Sequence, residues 1–329
     1  MRGSMQYGPQ FIIVSGMLGS GKTTLLEGLL ASEIATDTAI IVNEAGEINI
    51  DGAVLSESAR GMSMATLSNG CVCCSLTNDL VTTVQDLVES RRLSGQGPFA
   101  RIVLECSGLS RPGPIVSSLQ ELADLRLKLH LVTTYDCSRP SLSTDDFENA
   151  VAQLAAASTV VLTKVDLVSS ARRDEAFESV TAANPLARVV NEFSASGRAR
   201  EAFLPPDGGA PVPVTDQSTR PTPRRLLHPR VRVFRAKLDE NESWETTLDW
   251  LENIAGALGE RLLRIKAIVA GDNRSDRILL QSVGTTFSAP RRLSPSSPAP
   301  LGVILIARDC GRQDLEAIPT QHSVTWFDH

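Results

Sequence analysis

The sequence contains few histidines and lacks any apolar run long enough to cross a membrane. Only 4 of its 329 residues are histidines, so no histidine-rich store for metal ions is expected. No apolar stretch approaches the roughly 18 residues of a transmembrane helix, and we expect no membrane partner. The net charge of −6 and the scattered basic residues argue against a nucleic-acid-binding protein.

The six cysteines are not spaced like those of a disulfide framework. Three of them fall within one tetrapeptide, C-V-C-C at 71–74. The other three each end an apolar segment, where core packing is the expected role: Cys106, Cys137 and Cys310. The first ten residues, MRGSMQYGPQ, contain no secretory apolar region. We therefore expect a reducing cytoplasm and a metal or redox role for the clustered thiols.

Strand-like and helix-like segments alternate as far as about residue 195. The predicted strands are 10–15, 38–43, 101–106, 127–135, 159–163 and 188–193. The predicted helices are 22–32, 78–92, 112–124, 146–157 and 171–183. This alternation predicts an α/β fold with a mostly parallel sheet and helices on both faces. Ligands of such a sheet bind beyond the carboxyl ends of its strands.

The length of 329 residues predicts two domains, and the composition changes at about residue 204. A Pro- and Gly-rich stretch there predicts a linker over 204–228, between a nucleotide-binding domain at 1–203 and a second domain at 229–329. Strands near 231–238, 263–269, 277–283 and 302–308 and a helix at 244–258 predict a small α+β C-terminal domain.

A phosphate-binding loop follows the first predicted strand. The pattern G-x-x-x-x-G-K-[ST] is matched by Gly16, Gly21, Lys22 and Thr23, with a strand before it and a helix after it. The residues predicted to bind nucleotide here are Gly16, Gly19, Ser20, Gly21, Lys22, Thr23 and Thr24. Lys22 is expected to reach the β- and γ-phosphates, and the Thr23 hydroxyl to bind Mg²⁺. The alternative, a glycine-rich turn without a ligand, does not account for the flanking elements.

Two further strand ends carry residues that suit a nucleotide site. Glu105 follows an apolar strand, where a carboxylate binds Mg²⁺ directly or through water; with Lys22 it is the predicted catalytic pair. Thr163, Lys164 and Asp166 form T-K-V-D, close to the guanine signature N-K-x-D. Asp166 is expected to accept hydrogen bonds from the guanine edge, and the Lys164 stem to lie over the ring. A capped strand end and a charged turn are the alternatives.

The region between these motifs offers ligands for a second ion. Glu44, Glu47 and Asp51 follow the second strand and are oxygen ligands or water-positioning groups, unless this is a plain solvated loop. The thiolates at 71–74 are soft ligands that suit Zn²⁺ or Co²⁺. The alternative for these cysteines is a group of small buried hydrophobic residues.

The ordered set GMLGSGKTTLL, VNEAGEINIDG, GCVCC, LECSGLSRPGPI and TKVD resembles the CobW family of GTP-dependent metal chaperones, relatives of the nickel-insertion GTPases for hydrogenase and urease. The resemblance implies Mg-GTP binding, slow GTP hydrolysis and delivery of a transition metal to an apo-metalloprotein client. By this resemblance Cys71, Cys73 and Cys74 are the metal ligands and Glu47 is an additional one. A nucleotide-dependent dimer is a further expectation for this chain.

The chain departs from the pattern of that family at several points. Ala45 replaces the usual Phe, Cys106 replaces a frequent Thr or Ser, and no His-rich stretch is present, so metal storage is not expected. Between core packing and metal binding for Cys106, we favour packing. We predict a GTPase that loads zinc, cobalt or a similar metal. The alternatives are a G-protein-type regulator with structural cysteines, a P-loop small-molecule kinase, and a metal sensor without turnover.

Overall fold

The computed structural model describes residues 8–43, 63–67, 75–139, 147–204, 230–238, 243–271, 273, 276–293, 300–320 and 324–328. The chain forms two compact units. The first comprises 1–140, 157–174 and 188–204, and the second comprises 141–156, 175–187 and 205–329. Among the described residues, no helix has both the length and the apolar character needed to span a membrane.

The first unit is built on a seven-stranded sheet in which every neighbouring pair of strands is parallel. In order across the sheet the strands are β3 (Ser63–Leu67), β2 (Thr38–Asn43), β4 (Arg101–Glu105), β1 (Gln10–Gly16), β5 (Lys128–Asp136), β6 (Thr159–Thr163) and β7 (Arg188–Val190). The central strand β1 carries the unbroken apolar run 11–14, as expected of a strand buried on both faces.

The helices up to residue 204 are α1 (Lys22–Leu30), α2 (Ser75–Leu93), α3 (Pro112–Ser118), α4 (Phe147–Ala156), α5 (Ser170–Ala183) and α6 (Ala195–Phe203). On one face of the sheet, α1 and α6 pack against Ile12 and Val14 of β1. The side chains that alternate with these, such as Ile13 and Leu104, are also fully buried, so the opposite face is covered as well. The predicted α/β fold is confirmed.

Two elements of the first unit were not predicted from the sequence. Strand β3 has the short sequence S-M-A-T-L, and its pairing with β2 makes it a strand. Helix α6 has few apolar residues, but its Ala199 and Phe203 are fully buried. Gly28 of α1 permits this packing, because a Cβ there would lie 3.0 Å from the Ala195 carbonyl oxygen and 3.2 Å from the Ala199 Cβ.

The second unit contains an antiparallel sheet of seven strands. These are β8 (Val231–Lys237), β9 (Leu262–Ala270), β10 (Arg277–Val283), β11 (Thr286–Phe287), β12 (Arg291–Arg292), β13 (Gly302–Arg308) and β14 (Thr325–Asp328). Their order is β11-β10-β9-β13-β8-β14, and β12 pairs with β10. Together with the helices α7 (Trp244–Leu258) and α8 (Arg312–Glu316), they confirm the predicted α+β class.

Helix α7 has the bounds that the sequence predicted. The Ser243 hydroxyl accepts a hydrogen bond from the Thr246 amide at 3.2 Å, which caps the helix. Its buried face includes Leu251 and Trp250, and the ring of Trp250 lies 5.8 Å from that of Trp326 on β14. The apolar spacing and the cap are both local, which is why the sequence was sufficient.

Candidate functional site

Four neighbouring strands of the parallel sheet end at one edge with polar or glycine residues. These are Glu105 of β4, Gly16 of β1, Asp136 of β5 and Thr163 of β6. The strands are in register: Val14 lies opposite Glu105, and Asp136 lies opposite Thr163. The fold therefore gathers the predicted phosphate, magnesium and base-recognition segments at its carboxyl edge.

The loop after β1 has the backbone conformation that its glycines permit. Gly16, Gly19 and Gly21 have φ values of 141°, 69° and 90°, which residues with a Cβ rarely adopt. A Cβ on Gly16 would lie 2.2 Å from the Thr134 Oγ1. Helix α1 begins at Lys22, directly after the loop, so the amide groups of its first turn and the positive end of the helix dipole adjoin the loop. This arrangement suits an anion such as a phosphate chain.

The predicted catalytic and magnesium residues lie together beside this loop. The Lys22 ammonium donates to the carbonyl oxygens of Gly16 at 3.0 Å and Met17 at 3.2 Å. The Thr23 hydroxyl donates to the Glu105 Oε1 at 3.1 Å. Lys22 and Glu105 are both buried, although they belong to different elements. A hydroxyl and a carboxylate in contact form the hard oxygen donor set that Mg²⁺ prefers, so these residues fit that ion.

Strand β5 supports the phosphate loop through hydroxyl pairs. The Ser20 hydroxyl lies 2.6 Å from that of Thr134, and the Ser15 hydroxyl lies 2.8 Å from that of Thr133. All four groups are buried, so these bonds hold the loop against the sheet. Thr24, which was also predicted to bind nucleotide, is exposed on the first turn of α1.

The T-K-V-D turn contacts the phosphate loop directly. The Thr163 hydroxyl lies 2.7 Å from the Ser20 carbonyl oxygen and 3.1 Å from that of Tyr135. Lys164 follows in the left-handed conformation, with φ of 53°. Asp166 lies in the short 3₁₀ turn Val165–Leu167, and its side chain is exposed. The turn is thus fixed to the phosphate loop at one end and presents a carboxylate to solvent at the other.

Asp136 is a polar residue of this site that the sequence analysis missed. Its Oδ2 lies 2.6 Å from the Lys164 ammonium, and its Oδ1 accepts from the Ser138 amide at 2.9 Å and hydroxyl at 2.6 Å. Burial raises the pKa of Asp136, but the hydrogen bonds from Lys164 and Ser138 together outweigh it, so the pKa lies below its usual value. Its position at the carboxyl end of a strand, like that of Glu105, was the available signal.

The predicted ligands of the transition metal lie outside the described residues. They are Cys71, Cys73, Cys74 and Glu47, and Glu44 and Asp51 lie outside them too. The part of the chain that the structure describes contains no cluster of three or more His, Cys, Asp or Glu side chains suited to a metal ion. Strands β2 and β3 end in register at the carboxyl edge, at Asn43 and Leu67.

The three described cysteines are buried and free, as the sequence predicted. Burial, followed by the charge of Glu105, raises the pKa of the Cys106 thiol to about 12. A thiol must lose its proton to bind a metal ion, and burial therefore opposes a ligand role for Cys106. Core packing remains its better assignment.

Two family models match this chain. The CobW/HypB/UreG nucleotide-binding domain matches residues 10–191, and the Cobalamin synthesis protein cobW C-terminal domain matches residues 231–318. Both matched ranges lie within the parts where the sequence predicted two domains.

Two bacterial proteins are similar to this chain over most of their length, and a third relative is similar over less than half of its own length. The zinc chaperone YjiA of Escherichia coli is 28% identical over 291 residues, which cover 84% of this chain and 86% of YjiA. The zinc chaperone CobW of Pseudomonas aeruginosa is 29% identical over 318 residues, which cover 84% of this chain and 80% of that protein. The zinc-regulated GTPase metalloprotein activator 1 of Dictyostelium discoideum is 30% identical over 216 residues, which cover 54% of this chain and 44% of that protein.

The crystal structure of the Zn(II)-bound YjiA GTPase from E. coli has a similar fold. It superposes with a TM-score of 0.64 at 20% identity, covering 95% of this chain and 98% of that chain. The phosphate loop, its partner Glu105, the T-K-V-D turn and the two matched domains lead to one conclusion. The chain belongs to the CobW/HypB/UreG family of nucleotide-binding proteins.

Proposed function

We propose that this protein is a GTPase that binds a transition metal, zinc or cobalt, and delivers it to an apo-metalloprotein client. The observation that carries the proposal is the contact between the phosphate loop, the Thr23–Glu105 pair and the T-K-V-D turn at one sheet edge. This edge unites groups for phosphate, magnesium and a guanine base. The names of the relatives, zinc chaperones and a zinc-regulated GTPase, support the cargo.

The nucleotide chemistry is assigned to residues at the carboxyl edge of the sheet, of which Lys22 and Glu105 are buried. Lys22 binds the β- and γ-phosphates in place of the two carbonyl groups that it now contacts. Thr23 and Glu105 would hold Mg²⁺, which would supply positive charge to the phosphates. Asp166 accepts hydrogen bonds from the guanine edge. Phosphoryl transfer to water depends mainly on such positioning and charge, so Lys22 and Glu105 are the proposed catalytic residues.

The metal chemistry is assigned to Cys71, Cys73, Cys74 and Glu47. Neighbouring strands of a sheet are ~4.8 Å apart. The end of β2 therefore lies about one strand spacing from β4, and the end of β3, on the far side of β2, lies about 10 Å from β4. Asn43 and Leu67, the last described residues before these ligands, therefore lie close to Glu105. We propose that binding of Mg-GTP brings these four ligands into one coordination geometry. Hydrolysis of GTP then dismantles this geometry and releases the metal ion.

The same proposal includes the organisation and the compartment of the chain. We propose a nucleotide domain at 1–203, a linker at 204–228 and a C-terminal domain at 229–329, a division that the matched ranges 10–191 and 231–318 support. The cytoplasm is the proposed compartment, because its reducing conditions keep thiols available as metal ligands. The free state of Cys106, Cys137 and Cys310 supports this compartment.

Titration with Co²⁺ tests the metal proposal through the optical absorption of thiolate–cobalt charge transfer. We expect the apparent affinity for Co²⁺ to be about 5- to 150-fold higher with Mg-GTP than with Mg-GDP, the usual range of coupling between two sites. The absorption should be absent in the Cys73→Ser/Cys74→Ser variant. Because binding displaces thiol protons, the affinity should also fall as the pH is lowered.

Cys310→Ser is the matched control, because it removes a buried thiol of the second unit. We expect this variant to behave as the wild type does. Equal Co²⁺ affinity in the GTP and GDP states would disprove the coupling. Absence of charge transfer in both states would favour a G-protein-type regulator with structural cysteines.

Exposed leucines at the carboxyl edge support association with a second copy of the chain. Leu18 follows β1, Leu109 follows β4 and Leu167 follows β6, with exposed fractions of 74%, 54% and 69%. A Cβ on Gly108 would lie 2.5 Å from the Leu18 backbone nitrogen, so the segments after β1 and β4 are in contact. We propose that two copies dimerise through this edge when GTP is bound, because exposed apolar groups mark interaction sites.

Sedimentation with a non-hydrolysable GTP analogue tests this dimer. We expect Leu109→Ser to weaken dimerisation by about 10- to 150-fold, since burial of a leucine contributes about 1.5–3 kcal/mol. Leu93→Ser is the control, because Leu93 is 72% exposed at the end of α2, near the opposite edge of the sheet. A monomer in both nucleotide states, or equal effects of the two variants, would contradict the proposal.

A further inference from the structure

A buried carboxylate ties the T-K-V-D turn to strand β5. The side chain of Asp136 is 3% exposed, and its Oδ2 pairs with the Lys164 ammonium at 2.6 Å. Both Ser138 donors hold the other oxygen, so the carboxylate has little freedom to turn away. An ion pair with one buried partner in fixed geometry is stronger than a surface pair.

Lys164 is the residue of this turn that most needs such a restraint. Its φ of 53° places a non-glycine residue in the left-handed region, which is disfavoured and persists only where the surroundings enforce it. The turn continues directly to Asp166, two residues later. The ion pair to Asp136 therefore stabilises the backbone conformation that presents Asp166 to solvent.

The short turn after Asp136 is itself held in place. The Arg172 Nε donates to the Cys137 carbonyl oxygen at 3.3 Å, and its guanidinium also contacts the Arg139 carbonyl oxygen. The Arg139 guanidinium in turn contacts the Leu18 carbonyl oxygen in the phosphate loop and lies 3.6 Å from Asp136. Asp136 thus lies in a restrained position between the phosphate loop and the T-K-V-D turn.

We propose that Asp136 is a positioning residue for guanine recognition, acting through Lys164 to pre-organise the T-K-V-D turn. The inference rests on the proposed GTP-binding function and adds a determinant of base specificity to it. Asp136 does not touch the nucleotide. It fixes the Lys164 ammonium, so that the lysine stem and Asp166 contact the base in one arrangement. The turn is therefore already ordered before the nucleotide binds, and binding does not carry the entropic cost of ordering it.

The test is to compare ligands that contain the base with one that lacks it. Calorimetry gives the dissociation constants of Mg-GDP, Mg-ADP and inorganic triphosphate for the wild type and for Asp136→Asn. We expect Asp136→Asn to weaken GDP binding by about 10- to 100-fold, as when one partner of a part-buried ion pair is lost. Affinities for ADP and triphosphate should stay within about threefold of the wild type, because the phosphate loop keeps its own contacts.

Two further variants separate positioning from structural support. Ser138→Ala removes a donor from the other carboxylate oxygen and leaves the Lys164 pair, so GDP discrimination should persist. Lys164→Met keeps an unbranched apolar stem and loses the ammonium, so it should reproduce the effect of Asp136→Asn. The double variant should show little additional loss, because both changes break one interaction. Lys164→Met also gives a result if Asp136→Asn does not fold.

Two results would overturn the inference that Asp136 positions the turn. Equal weakening of GDP and triphosphate binding by Asp136→Asn would make Asp136 a structural support of the phosphate loop. Unchanged GDP discrimination in Asp136→Asn, or in Lys164→Met, would show that the ion pair does not position the turn. A wild type that binds GDP and ADP equally would instead refute the guanine specificity in the proposed function, which is a distinct result.

Discussion

Replacement of Lys22 by alanine should weaken Mg-GTP binding by roughly 30- to 4,000-fold. Lys22 is 8% exposed at the start of α1, where its ammonium contacts two carbonyl groups of the loop. Loss of one partner of a buried, hydrogen-bonded charge pair costs about 2–5 kcal/mol, which gives this range. Calorimetry with a non-hydrolysable GTP analogue measures the change, and GTP turnover should fall at least as far.

Lys128→Ala is the matched control for this variant. Lys128 is the first residue of β5, so it lies at the amino edge of the same sheet, opposite the nucleotide site. We expect its removal to leave the affinity for nucleotide unchanged. If Lys22→Ala folds and binds GTP as tightly as the wild type, the glycine-rich segment is a turn without a phosphate ligand.

The variant Asp166→Asn should prefer XTP, whereas we expect the wild type to prefer GTP. An aspartate carboxylate only accepts hydrogen bonds, which suits the N1–H and the exocyclic amine of guanine. Xanthine has a carbonyl oxygen in place of that amine, and an asparagine amide supplies a donor for it. A site that pairs with polar groups of its ligand rejects a mismatch by on the order of 10⁴-fold, so we expect the GTP-to-XTP preference to change by about this factor.

Competition between GTP and XTP at constant Mg²⁺ measures the exchange. Asp174→Asn serves as the control, since Asp174 is an exposed aspartate on α5, near the turn in sequence. It should leave the preference unaltered. Persistent preference for GTP in Asp166→Asn would mean that another residue reads the base, and the T-K-V-D turn would then be a charged turn only.

The parts of the site that short segments encode were predicted from the sequence. The apolar run 11–14 gives a strand, the glycines after it give the loop, and Lys22 and Thr23 open the following helix. Thr23 and Glu105 are 82 residues apart, and both were predicted as ligands of Mg²⁺; they can meet because the carboxyl ends of parallel strands share one edge. The local sequence pattern and this one rule of sheet topology were sufficient to predict this part of the site.

Other features depend on partners that are distant in sequence. Strand β3 needs β2 beside it, and α6 needs the close approach that Gly28 allows. Asp136 and Lys164 are 28 residues apart, and no motif marks their pairing. Tertiary contacts decide such cases, because the local propensities of these segments are weak.

The burial of three cysteines has a practical consequence for chemical labelling. Burial raises the pKa of Cys106 to about 12 and the pKa values of Cys137 and Cys310 to about 11. Electrophiles react with thiolates, so these thiols react slowly with alkylating reagents near neutral pH. A probe that attaches quickly to the folded protein must therefore be on Cys71, Cys73 or Cys74, the remaining cysteines. Removal of Cys106, Cys137 and Cys310 is therefore unnecessary in an experiment that directs a reporter to the C-V-C-C segment.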